Sequence, residues 1–182
     1  IISISFNTIS IISGTGYISE NFENWGNYAS VLFLILMFVG GCAGSTTGGL
    51  KVFRFQILFN YLVLHLKKML QPHAVLASHF NGKKIPDSTY ESVMSFFFIY
   101  ILTFAISALL LSFSGHDFLT CISAAASAIS NVGPGLGEII GPEGNYSSLN
   151  SYSKVILIVT MFLGRLEMLT IFILFLPTFW KN

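Results

Sequence analysis

The sequence predicts an all-α membrane protein, and three observations carry that reading. Of its 182 residues, 53% are hydrophobic and only 9% are charged, against roughly 25% charged in an average soluble domain. Residues 93–113 run without a single charge, long enough for one helix to span a bilayer. A unit of short apolar helix, glycine turn, acidic stretch and long apolar helix occurs twice, in residues 1–66 and again in 118–177.

The elements follow in order. Ile1 to Ile12 is apolar but too short to span, since a helical span needs about 20 residues; it fits a short re-entrant helix. Ser13-Gly14-Thr15-Gly16 turns the chain, and a polar stretch with Glu20 and Glu23 leads to the apolar run Val31–Val39. Then come five glycines and three hydroxyl side chains in Gly40-Gly41-Cys42-Ala43-Gly44-Ser45-Thr46-Thr47-Gly48-Gly49. Glycine costs roughly 1 kcal/mol relative to alanine inside a helix, so this run breaks it. Val52 to Leu66 resumes the apolar pattern, and Lys67 and Lys68 close it. Gln71 to Glu91, with Pro72, Pro86 and Asn81-Gly82, reads as a loop or short hairpin. After the span at 93–113, Asp117 is placed as helix N-cap for the short apolar stretch Phe118–Ser130. Asn131-Val132-Gly133-Pro134-Gly135-Leu136-Gly137 ends that stretch, and Lys154 to Pro177 is the last spanning helix, interrupted by Arg165 and Glu167.

Within the repeat, Gly16 pairs with Gly133, and Met37-Phe38-Val39-Gly40 pairs with Met161-Phe162-Leu163-Gly164, a longer second outer loop absorbing the offset. Arg165 then takes the place of Gly41, so the second copy carries a charge where the first copy breaks.

Charge placement sets an orientation. Six of the nine Lys and Arg lie in residues 51–84, whereas Glu20, Glu23, Asp117, Glu138 and Glu143 flank the short helices. Basic loops stay in the cytoplasm. The short helices therefore dip in from outside, residues 69–91 form a cytoplasmic loop, and the C-terminus is cytoplasmic.

Broken backbone at membrane depth is tolerated only where protein buries it or where it lines a watery cavity, so the glycine run points to a pathway. A short helix that stops halfway aims its unpaired carbonyls and negative dipole end at that pathway, which suits a cation. Catalytic readings fare worse. A P-loop needs lysine after its second glycine, and Leu50 follows Gly49. A serine protease built on Ser45 lacks a histidine base within an apolar segment, His65 lying only near the end of one. A close helix–helix contact through small residues accounts for one or two of the glycines and leaves the others unexplained. Cys42 and Cys121 are too few for a disulfide framework, and no CxxC spacing suggests a metal.

Gly40 to Lys51, the Asn131–Gly137 motif and Leu163-Gly164-Arg165-Leu166-Glu167 resemble the TrkH-type potassium-uptake membrane subunits of the Trk/Ktr/HKT superfamily over essentially the whole chain. The resemblance implies repeated helix, re-entrant pore helix, filter loop and helix units of a K⁺-channel-like pore. Residues 1–68 would be the end of a third repeat and 92–182 a fourth. Gly16 and Gly133 would be filter glycines, with Ser13, Gly14, Thr15, Asn131 and Val132 as neighbouring filter backbone, K⁺ resting on backbone carbonyls. Gly40, Gly41, Gly44, Ser45, Thr46, Thr47, Gly48 and Gly49 would form an intramembrane gate, with Arg165 facing the pore. Thr47 departs from the family pattern, in which a glycine is common at that place of the loop. The implied partners are the remaining pore repeats, a second copy of the chain, a cytosolic nucleotide-binding regulatory subunit and the lipid bilayer; nucleic acid is not among them. The implied setting is the bacterial inner membrane, crossed several times, with no cofactor beyond the transported ion. A membrane remnant or regulatory subunit without transport is the second reading. Two filters of four do not close a pore, and carbonyl rings do not reveal K⁺ against Na⁺ through side-chain identity.

Overall fold

The computed structural model describes residues 1–42, 44–45, 47–71, 79–80, 83–84 and 86–166. Within them lie six α-helices: α1 Ile2–Ser13, α2 Asn27–Phe38, α3 Val52–Leu70, α4 Asp87–Ser112, α5 Phe118–Ser130 and α6 Ser151–Arg165. Strands β1 (Val39–Gly40) and β2 (Leu50–Lys51) pair in parallel, and β3 (His79–Phe80) and β4 (Lys83–Lys84) pair antiparallel. The all-α expectation is thus modified by two minimal strand pairs. One is the short hairpin expected between the long helices; the other joins the two ends of the glycine break.

Helix α4 starts at Asp87, where sequence placed loop as far as Glu91. Pro86 supplies the reason: it sits at the N-cap with φ −69°, the angle its ring enforces, and an acid follows at the positive end of the helix dipole. Among the described residues, Ser88–Ser112 is the one helix long and apolar enough to cross a membrane. Helices α1 and α5 have 12 and 13 residues, about 18–20 Å at 1.5 Å per residue, or roughly two-thirds of a 30 Å hydrocarbon layer. The expected continuation of α6 to Pro177 lies outside the described residues.

The core is organised around α5, which packs against α2, α4 and α6. Its alanines and serines let backbones approach closely. One side meets Leu111, Ile156 and Leu157; the other meets Phe33, Met37 and Ile11. Two buried hydroxyl pairs tie the helices together: Tyr100 to Ser130 at 2.7 Å and Ser107 to Thr160 at 2.8 Å.

Candidate functional site

Both short helices end in the same way. Gly14 caps α1 at φ 69°, and Asn131 caps α5 at φ 54°, the left-handed conformation that closes a helix C-terminus. Asn131 is the only non-glycine residue with positive φ among the described residues. Two residues past each cap, Gly16 and Gly133 again take positive φ, at 71° and 112°.

The hydrogen bonds repeat in the same register. Thr15 N–H donates to the Ser10 carbonyl at 3.0 Å, and Val132 N–H to the Ser127 carbonyl at 3.1 Å. Gly16 N–H donates to the Ser10 carbonyl at 3.3 Å, and Gly133 N–H to Ser127 Oγ at 3.1 Å. Further along, with the acceptor one place apart between the copies, Ser19 N–H donates to Asn7 Oδ1 at 3.1 Å, and Leu136 N–H to Ser123 Oγ at 3.0 Å. In each copy a buried polar side chain of the short helix therefore latches the segment that leaves it. The two segments also touch. A Cβ on Gly16 would sit 2.1 Å from the Val132 carbonyl oxygen, so only glycine fits there, whereas a Cβ on Gly133 would meet open space.

The break between α2 and α3 lies against these helix ends. β1 and β2 bring Val39 opposite Leu50 and Gly40 opposite Lys51, and Val52 N–H donates to the Gly41 carbonyl at 3.3 Å. The chain leaves the helix line and returns to it at the same place. Thr47 Oγ pairs with Ser45 Oγ at 2.7 Å and reaches the Ser13 carbonyl at 3.1 Å. Thr47 thereby ties the loop to the end of α1. Gly48 lies against α5, where a Cβ would fall 2.3 Å from the Ser130 carbonyl oxygen. Gly164 of α6 approaches the same helix end, its Cβ position clashing with the Ile129 carbonyl oxygen. Asn131 Nδ2 donates to the Met161 carbonyl at 3.2 Å.

Arg165 is exposed and lines a cavity of about 180 Å³ together with Ser45, Thr47, Gly48 and Gly49 of the break and with Lys51 and Arg54 beyond it. The Arg54 guanidinium stacks 3.6 Å from the centroid of the Phe96 ring. Lys51, Arg54 and Arg165 are each engaged in interactions of their own. Thr46 of the expected gate and Glu167 lie outside the described residues.

Several residues that build this site were not singled out from sequence. Glu23 Oε1 accepts the Gly137 N–H at 2.6 Å and so joins the outer stretch of the first unit to the motif of the second. Sequence gave Glu23 only the work of a local negative charge. Asp117 is the N-cap of α5, as expected, accepting from Thr120 N–H at 3.2 Å. The Thr120 hydroxyl hydrogen bond holds the Asp117 carboxyl below the usual carboxylate range. Tyr146 donates its hydroxyl to the Gly133 carbonyl at 2.7 Å. A signal for Ser10 and Ser127 existed: they hold matching places in the two copies. Nothing in the sequence marked Tyr146.

The family model for TrkH, a cation transport protein, matches residues 1–182. The Trk system potassium uptake protein TrkI of Halomonas elongata is 45% identical over 179 residues, 98% of this chain and 36% of that protein. The Trk system potassium uptake protein TrkH of Vibrio parahaemolyticus is 39% identical over 177 residues, covering 97% of this chain and 36% of the relative. The crystal structure of the potassium transporter TrkH from Vibrio parahaemolyticus superposes with a TM-score of 0.89 at 38% identity, over 98% of this chain and 38% of that one. The chain spans little more than a third of the length of the curated relatives it matches.

Proposed function

Because this chain belongs to the TrkH family of cation transport proteins, we propose that it supplies the end of the third and the whole of the fourth pore unit of a potassium uptake transporter in a bacterial inner membrane. In this reading α1 and α5 are the pore helices, and residues 13–16 and 131–133 are their filter segments. The observation that carries it is the contact between those segments: two helix C-termini, each closed by a left-handed residue and followed by a positive-φ glycine, bring Gly16 against Val132. Helix C-termini concentrate partial negative charge, and free carbonyls there replace water around a desolvated cation. The remaining repeats complete the ring, and a second copy of the chain and a cytosolic nucleotide-binding subunit complete the assembly.

The glycine break acts as the gate. Its loop hangs beneath the filter from the Thr47–Ser13 bond, and Arg165 meets it across the shared cavity. A guanidinium carries five donors and suits loop carbonyls, and its charge opposes cation entry while the loop is in place.

Two experiments in the full-length transporter test these roles. Gly133→Ser is expected to lower discrimination of K⁺ over Na⁺ in uptake; unchanged selectivity in a folded, membrane-inserted protein removes the filter assignment. Arg165→Ala is expected to raise basal cation flux by releasing the loop. Unaltered flux at parental protein levels makes the arginine structural.

A further inference from the structure

Gly16 and Gly133 hold the same place in the two copies, yet they are restrained by different means. Gly16 is wedged, with backbone 2.1 Å from where a Cβ would stand. Gly133 has no heavy atom within 4 Å of that point, is exposed, and sits at φ 112°. No steric wall fixes it; side-chain hydrogen bonds do. Ser127 Oγ accepts its N–H at 3.1 Å and the Tyr146 hydroxyl donates to its carbonyl at 2.7 Å. Two side chains thus hold Gly133 from both sides, Ser127 at its N–H and Tyr146 at its C=O.

We infer that Tyr146 is a positioning residue for ion selection: its hydroxyl sets the direction and the electron density of the Gly133 carbonyl, and so the affinity of the outer filter for a desolvated monovalent cation. The inference rests on the filter reading given above. A carbonyl that donates one lone pair to a phenol keeps the other for an ion, but it is turned and polarised by the first bond. The copies differ here in kind: the stretch after α1 is shorter, and Gly16 is held by the close Val132 carbonyl. Burial pushes the Tyr146 phenol up from its ordinary range, so it stays protonated and a donor at physiological pH.

The experiment uses Tyr146→Phe in the full-length transporter, which removes one oxygen and keeps the ring. K⁺ uptake kinetics and competition by Na⁺ are measured in cells beside the amount of transporter in the membrane, with Gly133→Ser run in parallel. KM for K⁺ is expected to rise about 3- to 10-fold, the range one neutral hydrogen bond spans. Discrimination against Na⁺ should fall while the maximal rate per transporter stays within about twofold of the parent. Ser127→Ala should move the same quantities in the same direction. Parental KM and discrimination in Tyr146→Phe, whether or not protein level or maximal rate drops, overturn the inference; if Gly133→Ser alters selectivity in that case, the filter reading stands alone. If neither variant moves selectivity, both readings fall together.

Discussion

Helices α1 and α5 end in the same turn and live in opposite surroundings. In α5 every residue from Thr120 to Ser130 except Ile122 is buried. In α1 only Asn7, Ser10 and Ile11 are, while Ile2 and Ile9 stand 85% and 65% exposed. Their compositions match their settings: α5 shows alanine, serine and threonine on all sides to close neighbours, and α1 points isoleucine and phenylalanine outward. Despite this, the caps, the glycines two residues on and the backbone bonds to Ser10 and Ser127 recur in register, and the latch to the departing segment recurs one place apart. The turn geometry is therefore local, written in cap residues and one-turn hydrogen bonds, whereas burial is supplied by whatever packs alongside. In the proposed assembly lipid and the other pore repeats cover α1.

Substitutions that separate local from packing determinants test this difference. The largest effect is expected at Gly164, where a Cβ has no room beside the Ile129 carbonyl. Gly164→Ala should force α6 off α5 and leave little monodisperse protein after purification. Gly14→Ala at the end of α1 meets the Thr47 methyl at 3.1 Å and the Asn131 carbonyl oxygen at an ordinary 3.9 Å. Its cost should be the left-handed backbone alone, about 1 kcal/mol. Equal yields of the two variants would erase the contrast.

A middle effect is expected from Glu23→Ala, which strips the acceptor from Gly137 N–H. Loss of a charge-assisted bond to a backbone amide corresponds to about 1.5–3 kcal/mol. Glu23→Gln keeps an acceptor and should recover most of it, read as apparent melting temperature in detergent. If both variants melt alike, the bond between the two units is idle.

The smallest effect concerns Asp117, whose cap is confined to α5. Asp117→Ala should cost about 1 kcal/mol. The pH dependence has a defined sign. The folded-state carboxyl titrates below its ordinary value, so its contribution is complete above the ordinary carboxylate range and disappears as pH falls through the lowered folded value. Parent and variant should thus converge in melting temperature only in acid. A difference that persists there would assign the effect to packing.

Much of this architecture was legible beforehand. Phe118–Ser130 was bounded correctly because Asp117 and the Asn131–Gly137 turn punctuate it at both ends, and the break was visible because five glycines cannot continue a helix. The start of α4 was placed too late because a charge-free window discounts Asp87 and Glu91, which belong to its first turns. The cross-unit bonds were not legible. Glu23 to Gly137 and Thr47 to Ser13 join residues far apart in the chain, and a lone glutamate or threonine in a polar stretch looks the same with or without a partner. The cavity shared by Arg165 and the break needed the fold, although the repeat had already aligned Arg165 with Gly41.

The parallel pairing of β1 with β2 gives the break a mechanical property. With Val39 held to Leu50 and Gly40 to Lys51, the two ends of the break are fastened to each other like fixed abutments. The pairing holds the end of α2 beside the start of α3 whatever spans the gap between them. Loop length is freed as well, since doubling a closed loop costs only about 0.6 kcal/mol of entropy. Insertions or deletions between the abutments would retune the span while leaving both banks where they stand.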